Sequence, residues 1–154
     1  MESRIRYWLM KSEPDVFSID HLKKKGRAPW DGVRNFQARN YMREMKKGDL
    51  ILFYHSSTEP PGVAGIARVA KEAYPDFTSW DKKSDYYDPR STPEKPLWMM
   101  VDVEFVEKFP RLIPLDTLHS TPALQDMLVL RKGSRLSVQP VNEKHFQLVQ
   151  RMGK

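Results

Sequence analysis

The chain has 154 residues, 40% hydrophobic and 30% charged, and a formal net charge of +6. That fits a single domain over residues 1–154 with its own core and excludes a disordered chain; no apolar run is long enough to span a bilayer. Cysteine is absent, which rules out disulfides and thiolate metal sites and sets the expected compartment as reducing: the cytoplasm, or the nucleus in a eukaryote.

The N-terminal MESRIRYWLMKSEP has no signal-peptide apolar stretch, because Lys11 and Ser12 cut it short. Ile5 to Met10 reads as a short strand, and Pro14 pushes Glu13 into an extended conformation. Ser18 caps a helix running through Lys25, with Gly26 as its stop. Trp30 follows Pro29 and leads into Asp31-Gly32, which reads as an exposed turn. Asn35 then caps the main helix and Gly48 is its expected stop. Ala38, Tyr41, Met42 and Met45 fall on one face, at i, i+3, i+4 and i+7; Arg39, Arg43, Lys46 and Lys47 fall on another. Asp49 to His55 is a strand, with Leu50, Leu52 and Tyr54 facing one way and Ile51, Phe53 and His55 the other.

Pro60-Pro61-Gly62 makes a turn, and Val63 to Glu72 reads as the partner strand. Tyr74 to Pro96 is a polar, aromatic loop, much longer than most connections in a compact domain, and long ordered loops are often functional. Leu97 to Val106 returns as a strand. Thr121-Pro122 has the pattern of an N-cap followed by Pro. Arg135 to Val141 is another strand, and Asn142 caps a last helix with His145, Leu148, Val149 and Met152 on its apolar face. This order predicts an α+β protein: a small mixed sheet or partial barrel flanked by helices.

Charge is unevenly spread. Residues 11–47 hold ten Lys or Arg against five Asp or Glu, residues 48–110 seven against eleven, and residues 111–154 seven against three. Two basic blocks around an acidic middle suit either a solvated surface or a track for a polyanion. Enzyme signatures are missing: there is no G-x-S-x-G, H-E-x-x-H, P-loop or G-x-G-x-x-G. His21, His55, His119 and His145 share no metal-ligand spacing, and neither a metal nor a cofactor is expected. His55 ends a strand beside Tyr54 and Ser56, where it could reach a pocket.

The aromatics point further. Trp8 and Trp98 belong to strands and read as core, as do Phe53 and Phe105. Trp30, Trp80, Tyr86 and Tyr87 fall in two polar loops, where a ring can cover a core edge or offer a stacking platform for a nucleobase. Stacking is worth about 1–3 kcal/mol per base, and turning a base out of a duplex costs a few kcal/mol. Two rings around one base could therefore roughly balance extrusion, leaving phosphate contacts to supply net affinity. Lys11 and Ser12, which leave the first strand together, and Asn35 and Gln37, which begin the main helix, are candidates to read the base edge. Arg34, Arg39 and Arg43 are candidates for phosphates.

At these residues the chain resembles the EVE domain family over nearly its whole length. The likeness rests on Tyr7-Trp8-Leu9-Met10-Lys11-Ser12-Glu13-Pro14, Trp30-Asp31-Gly32-Val33-Arg34-Asn35, Gln37-Ala38-Arg39-Asn40 and Phe53-Tyr54-His55-Ser56. It continues through Ala73-Tyr74-Pro75-Asp76, Tyr87-Asp88-Pro89, Val101-Asp102-Val103 and Arg135-Leu136-Ser137-Val138-Gln139-Pro140. The resemblance implies a PUA-like fold and kinship with YTH domains, which hold a methylated adenine in an aromatic cage, and with SRA-type readers of modified cytosine. It implies Trp30 as one cage wall and a residue of the long loop as the other, with Trp80 or Tyr87 ahead of Tyr86; Lys11, Ser12 and Asn35 match the rim. Phe36 stands where the family usually has Tyr, and Phe77 to Tyr86 fits the pattern loosely.

The sequence thus predicts a nucleic-acid-binding module that reads a flipped, methylated or hydroxymethylated cytosine, with modified DNA ahead of RNA as partner. The expected pocket is Lys11, Ser12, Trp30, Asn35, Tyr54, His55, Trp80, Tyr86 and Tyr87. Three alternatives stay open: an RNA-binding PUA-like module, an enzyme of nucleotide or base chemistry using His55 with Asp31 or Asp88, and a small-molecule or peptide pocket.

Overall fold

Ten helices and strands are formed in the computed structural model, which describes residues 4–133 and 135–154. In chain order they are β1 (Tyr7–Ser12), α1 (Ile19–Lys25), β2 (Arg27–Trp30), α2 (Phe36–Glu44), β3 (Leu50–His55), β4 (Gly62–Pro75), β5 (Met99–Pro114), α3 (Leu115–His119), β6 (Val138–Val141) and α4 (Glu143–Met152), with three short 3-10 turns. One six-stranded sheet runs β2-β5-β4-β3-β1-β6. Among the described residues only β1 and β3 pair in parallel; the other pairs are antiparallel. A parallel pair needs a crossover, and this one carries α1, β2 and α2.

Local chemistry sets these boundaries. Ser18 accepts a hydrogen bond from the His21 amide while the His21 ring accepts one from the Ser18 amide, a reciprocal cap at the start of α1. Asn35 accepts from the Ala38 amide and starts α2. The main helix stops at Glu44, earlier than Gly48. Met45 turns to an extended conformation, and Asp49, 2% exposed, draws the following turn onto β1 by accepting from the Lys46 amide and the Trp8 indole N–H.

β4 and β5 extend to 14 and 16 residues, well beyond the expected strands, and their pairing shifts register four times. Bulges of this kind bend and twist a sheet. Each face is covered. Trp8, Met10, Ile51 and Phe53 pack with α1 and α2 on one side; Leu9, Leu52 and Tyr54 pack with α3 and α4 on the other. The alternation predicted for β3 is therefore observed. Of the last helix, Phe146 and Val149 are the buried residues, and His145 is only partly covered. Thr121-Pro122 starts a 3-10 turn, Pro122–Leu124, rather than a longer helix.

The turn expected at Trp30 is instead the end of β2, paired with Val101 of β5. Pro29 within that strand is tolerated because β2 lies at one edge of the sheet. The other edge, β6, is also four residues long and also carries a proline, Pro140. It is shorter than the strand expected from Arg135.

Candidate functional site

A cavity of about 560 Å³ opens beside the end of β1. Lys11 and Ser12 bound it, Glu13, Val16 and Phe17 continue one side, and Ala28, Pro29 and Trp30 come from β2. Asp31 to Arg34 and Tyr86 form the opposite side, and Ser137 closes an edge. Of the sequence-predicted residues, the structure brings together Lys11, Ser12, Trp30, Arg34 and Tyr86.

The Trp30 side is built by apolar packing. Trp30 is 7% exposed, not an exposed turn residue. Its indole meets Phe53 at 5.3 Å and Phe17 at 6.2 Å, both edge to face, so the ring is fixed by the core and borders the cavity. Phe17 escaped the sequence reading. The signal was present: an aromatic just before the Ser18 cap occupies the position of a hydrophobic staple. Ser12 supports this side, since its hydroxyl donates to the Phe17 carbonyl at 2.7 Å and closes the Glu13–Phe17 turn.

The Tyr86 side is built by polar contacts. Asp76 is fully buried. One of its oxygens accepts from the Gly32 amide at 2.9 Å and the Arg34 guanidinium at 3.0 Å; the other accepts from the amide and hydroxyl of Thr78. Arg34 donates twice more, at 3.0 and 2.7 Å, to the Tyr86 carbonyl. This clamp ties the Trp30-Asp31-Gly32 segment to the long loop. Gly32 has φ +80°, and a Cβ there would lie 2.7 Å from the Tyr86 ring, so only glycine permits both the turn and the close approach. Asp76 belonged to a recognised motif but had no expected role, because nothing local marks a carboxylate that bonds across 44 residues.

Charge in the cavity is mixed. Burial lowers the pKa of the Lys11 ammonium. Burial, reinforced by the nearby Asp76, raises that of the Asp31 carboxyl. Tyr86 is also raised, by burial and then by the charge of Asp31, and stays a phenol. The cavity thus offers hydrogen-bond donors and acceptors in a partly desolvated setting.

The remaining predicted residues lie outside the lining. His55 Nε2 accepts from the Ile19 amide at 3.1 Å, which engages that nitrogen at the start of α1, and burial lowers its pKa. Tyr54, 3% exposed, packs in the core on the opposite face of the sheet. Trp80 ends the 3-10 turn Phe77–Trp80, and Tyr87 is exposed. Asn35 caps α2 and faces a neighbouring recess. Arg39 donates to the Leu97 carbonyl and its guanidinium lies 4.9 Å from the Phe36 ring, which stacks on Trp98. Arg43 is exposed on the last turn of α2. Asp88, the alternative acid–base candidate, accepts from the Trp98 indole and from Arg90, which holds its pKa far below the usual carboxylate range. Among the described residues no helix is long and apolar enough to cross a membrane, and no cluster of His, Asp or Glu is arranged to hold a metal.

Comparison with known proteins adds a context for this geometry. The family profile described as EVE domain matches residues 6–152. Human thymocyte nuclear protein 1 is 44% identical over 161 residues, spanning 93% of this chain and 72% of that protein. A crystal structure of human THYN1 protein in complex with 5-methylcytosine-containing DNA superposes with a TM-score of 0.90 at 43% identity, over 97% of this chain and 98% of that one. The YTH domain of Zygosaccharomyces rouxii MRB1 protein, in complex with N6-methyladenosine RNA, has a TM-score of 0.58 at 18% identity, over 97% of this chain and 87% of that one. At that identity the likeness is one of fold, and it agrees with the α+β, PUA-like architecture expected from the sequence.

Proposed function

This chain belongs to the EVE domain family, and on that premise we propose that it binds nucleic acid and reads one modified base, a methylated or hydroxymethylated cytosine, turned out of its strand into the cavity between Trp30 and Tyr86. The observation that carries this reading is the cavity itself. It gathers the Trp30 and Tyr86 rings with lysine, carboxyl and hydroxyl groups in a volume of about 560 Å³, within the usual range for small-ligand sites. The complex of the human relative with 5-methylcytosine-containing DNA supports the choice of base.

The chemistry sorts the roles. Burying one methyl is worth about 0.8 kcal/mol, roughly a fourfold preference. Thymine carries the same methyl, so shape alone cannot separate it from 5-methylcytosine. The difference lies at the adjacent ring position: cytosine offers an amino donor and thymine a carbonyl acceptor. Asp31 supplies an acceptor for that amino group. Trp30 and Tyr86 flank the ring, and Arg34 holds the Tyr86 side in place.

The test is fluorescence anisotropy on oligonucleotides identical except at one position, which carries 5-methylcytosine, 5-hydroxymethylcytosine, cytosine or thymine, in DNA and in RNA. The reading predicts tightest binding to a modified cytosine in DNA and loss of that preference in Asp31→Asn or Tyr86→Ala. Equal binding of thymine and 5-methylcytosine would overturn it, and a preference for RNA regardless of base would favour the RNA-binding alternative.

A further inference from the structure

A second recess, of about 490 Å³, adjoins the first cavity. It is lined by Asn35, Gln37, Tyr41, Arg131, Arg135 and Leu136 among others, with no carboxylate among the described residues of its walls. The chain places the two side by side. Arg34 lines the cavity and Asn35 the recess; Ser137 lines the cavity and Leu136 the recess. Consecutive Cα atoms are about 3.8 Å apart, so at both points the recesses are separated by a single residue step.

The arginines of this region also differ in what they hold. Arg34 is committed to Asp76 and the Tyr86 carbonyl, and Arg39 to the Leu97 carbonyl and the Asn40 side chain. Arg131 and Arg135 are exposed, and among the described residues neither forms an ion pair with a carboxylate. Around them stand further donors: the side-chain amides of Asn35 and Gln37 and the hydroxyl of Tyr41. Asn35 uses only its oxygen, to cap α2, which leaves its amide hydrogens for a ligand. A concave surface rich in donors and cations, without acidic groups, is suited to phosphate oxygens.

We propose that this recess binds the phosphodiester flanking the flipped nucleotide, so that Arg131 and Arg135, rather than Arg39 and Arg43 of α2, provide the salt-sensitive part of the affinity. The assignment rests on the proposed base-reading function: the cavity takes the base and the recess takes the adjoining backbone.

The experiment uses the full chain and single-stranded DNA with one 5-methylcytosine, or cytosine at the same position, titrated between roughly 50 and 200 mM salt, a range over which phosphate binding is readily resolved. Arg131→Gln combined with Arg135→Gln should weaken binding of both oligonucleotides by the same factor. It should flatten the slope of log affinity against log salt by about 1.4, at about 0.7 for each phosphate of a single strand that the variant no longer neutralises. Both arginines are exposed, so the melting temperature should match the parent. A control on α4, Lys144→Gln with Arg151→Gln, removes equal charge and should leave the slope in place. Free 5-methyl-2′-deoxycytidine, which has no phosphate, should bind parent and Arg131/Arg135 variant alike. An unchanged slope, an equal effect of the α4 control, or weakened nucleoside binding would each overturn the phosphate assignment. If instead the parent protein ignores the methyl group while the slope still falls in the variant, the base reading fails and the phosphate assignment stands.

Discussion

The two sides of the cavity place an aromatic residue beside the same space by different means. Trp30 is held by neighbours that would be buried anyway: Phe17, Phe53 and the sheet beneath. Tyr86 sits on a loop with little apolar anchorage and is held through Arg34, Asp76 and Gly32. The apolar side is set by burial, which tolerates small adjustments. The polar side is set by hydrogen bonds whose failure leaves a buried charge without a partner. The first should respond to lost volume and the second to lost pairing.

Trp30→Ala should be the most damaging single change. Removing a buried indole costs about 3–5 kcal/mol, read as a lower urea midpoint. A variant that unfolds like the parent would break the assignment of this side to the core. Asp76→Ala comes next. It strips the fully buried partner of an arginine whose side chain is 21% exposed, and about 3 kcal/mol is expected, the lower end for a broken buried pair. It should also speed proteolytic cutting within residues 77–96; unchanged cutting would show that the loop is held elsewhere.

Gly32→Ala should cost about 1–2 kcal/mol, because its positive φ suits glycine and the new methyl meets the Tyr86 ring. Tyr86→Ala should change stability by roughly 0.5 kcal/mol or less yet weaken oligonucleotide binding about 5- to 150-fold, the equivalent of about 1–3 kcal/mol of stacking. Comparable reductions in stability and affinity would erase the distinction between the two sides.

Titration gives the smallest effects, of opposite sign. The Asp88 carboxyl is lowered, chiefly by its hydrogen bond from Arg90 and then by that from Trp98. Its contribution is present above the ordinary carboxylate pKa near 4 and is lost as the pH falls below it. Asp31 is raised, so its contribution to stability is present at low pH and lost as the pH rises through its folded value. Asp88→Asn should flatten the acid limb of a stability–pH curve and Asp31→Asn should not. Affinity for the modified cytosine should instead fall on acidification, as Asp31 gains a proton and ceases to be a pure acceptor.

What could be read from the chain follows the same division. Caps and alternation located α1 and both faces of β3, because Ser18, Gly26 and the run Leu50–His55 act on their immediate neighbours. Trp30 reads as a turn because Pro29 argues against a strand, and no local pattern says that a strand will lie at the sheet edge. Trp80 and Tyr87 stand ahead of Tyr86 in the sequence as the second aromatic. The orientation of that loop depends on buried bonds, Ser79 to Ser91 and Asp88 to Trp98, formed between residues whose pairing no periodicity marks. The arginine stripe of α2 was legible as charge, but the stacking of Arg39 with Phe36 and Trp98 was not.

The prolines at the two margins of the sheet carry a consequence for the whole molecule. Pro29 and Pro140 each sit third in a four-residue margin strand, and each deletes an amide proton that a newcomer strand would need. A sheet left open at both ends is thereby made a poorer template for runaway growth, so copies of the chain brought close together lack an easy means of zipping together through their backbones.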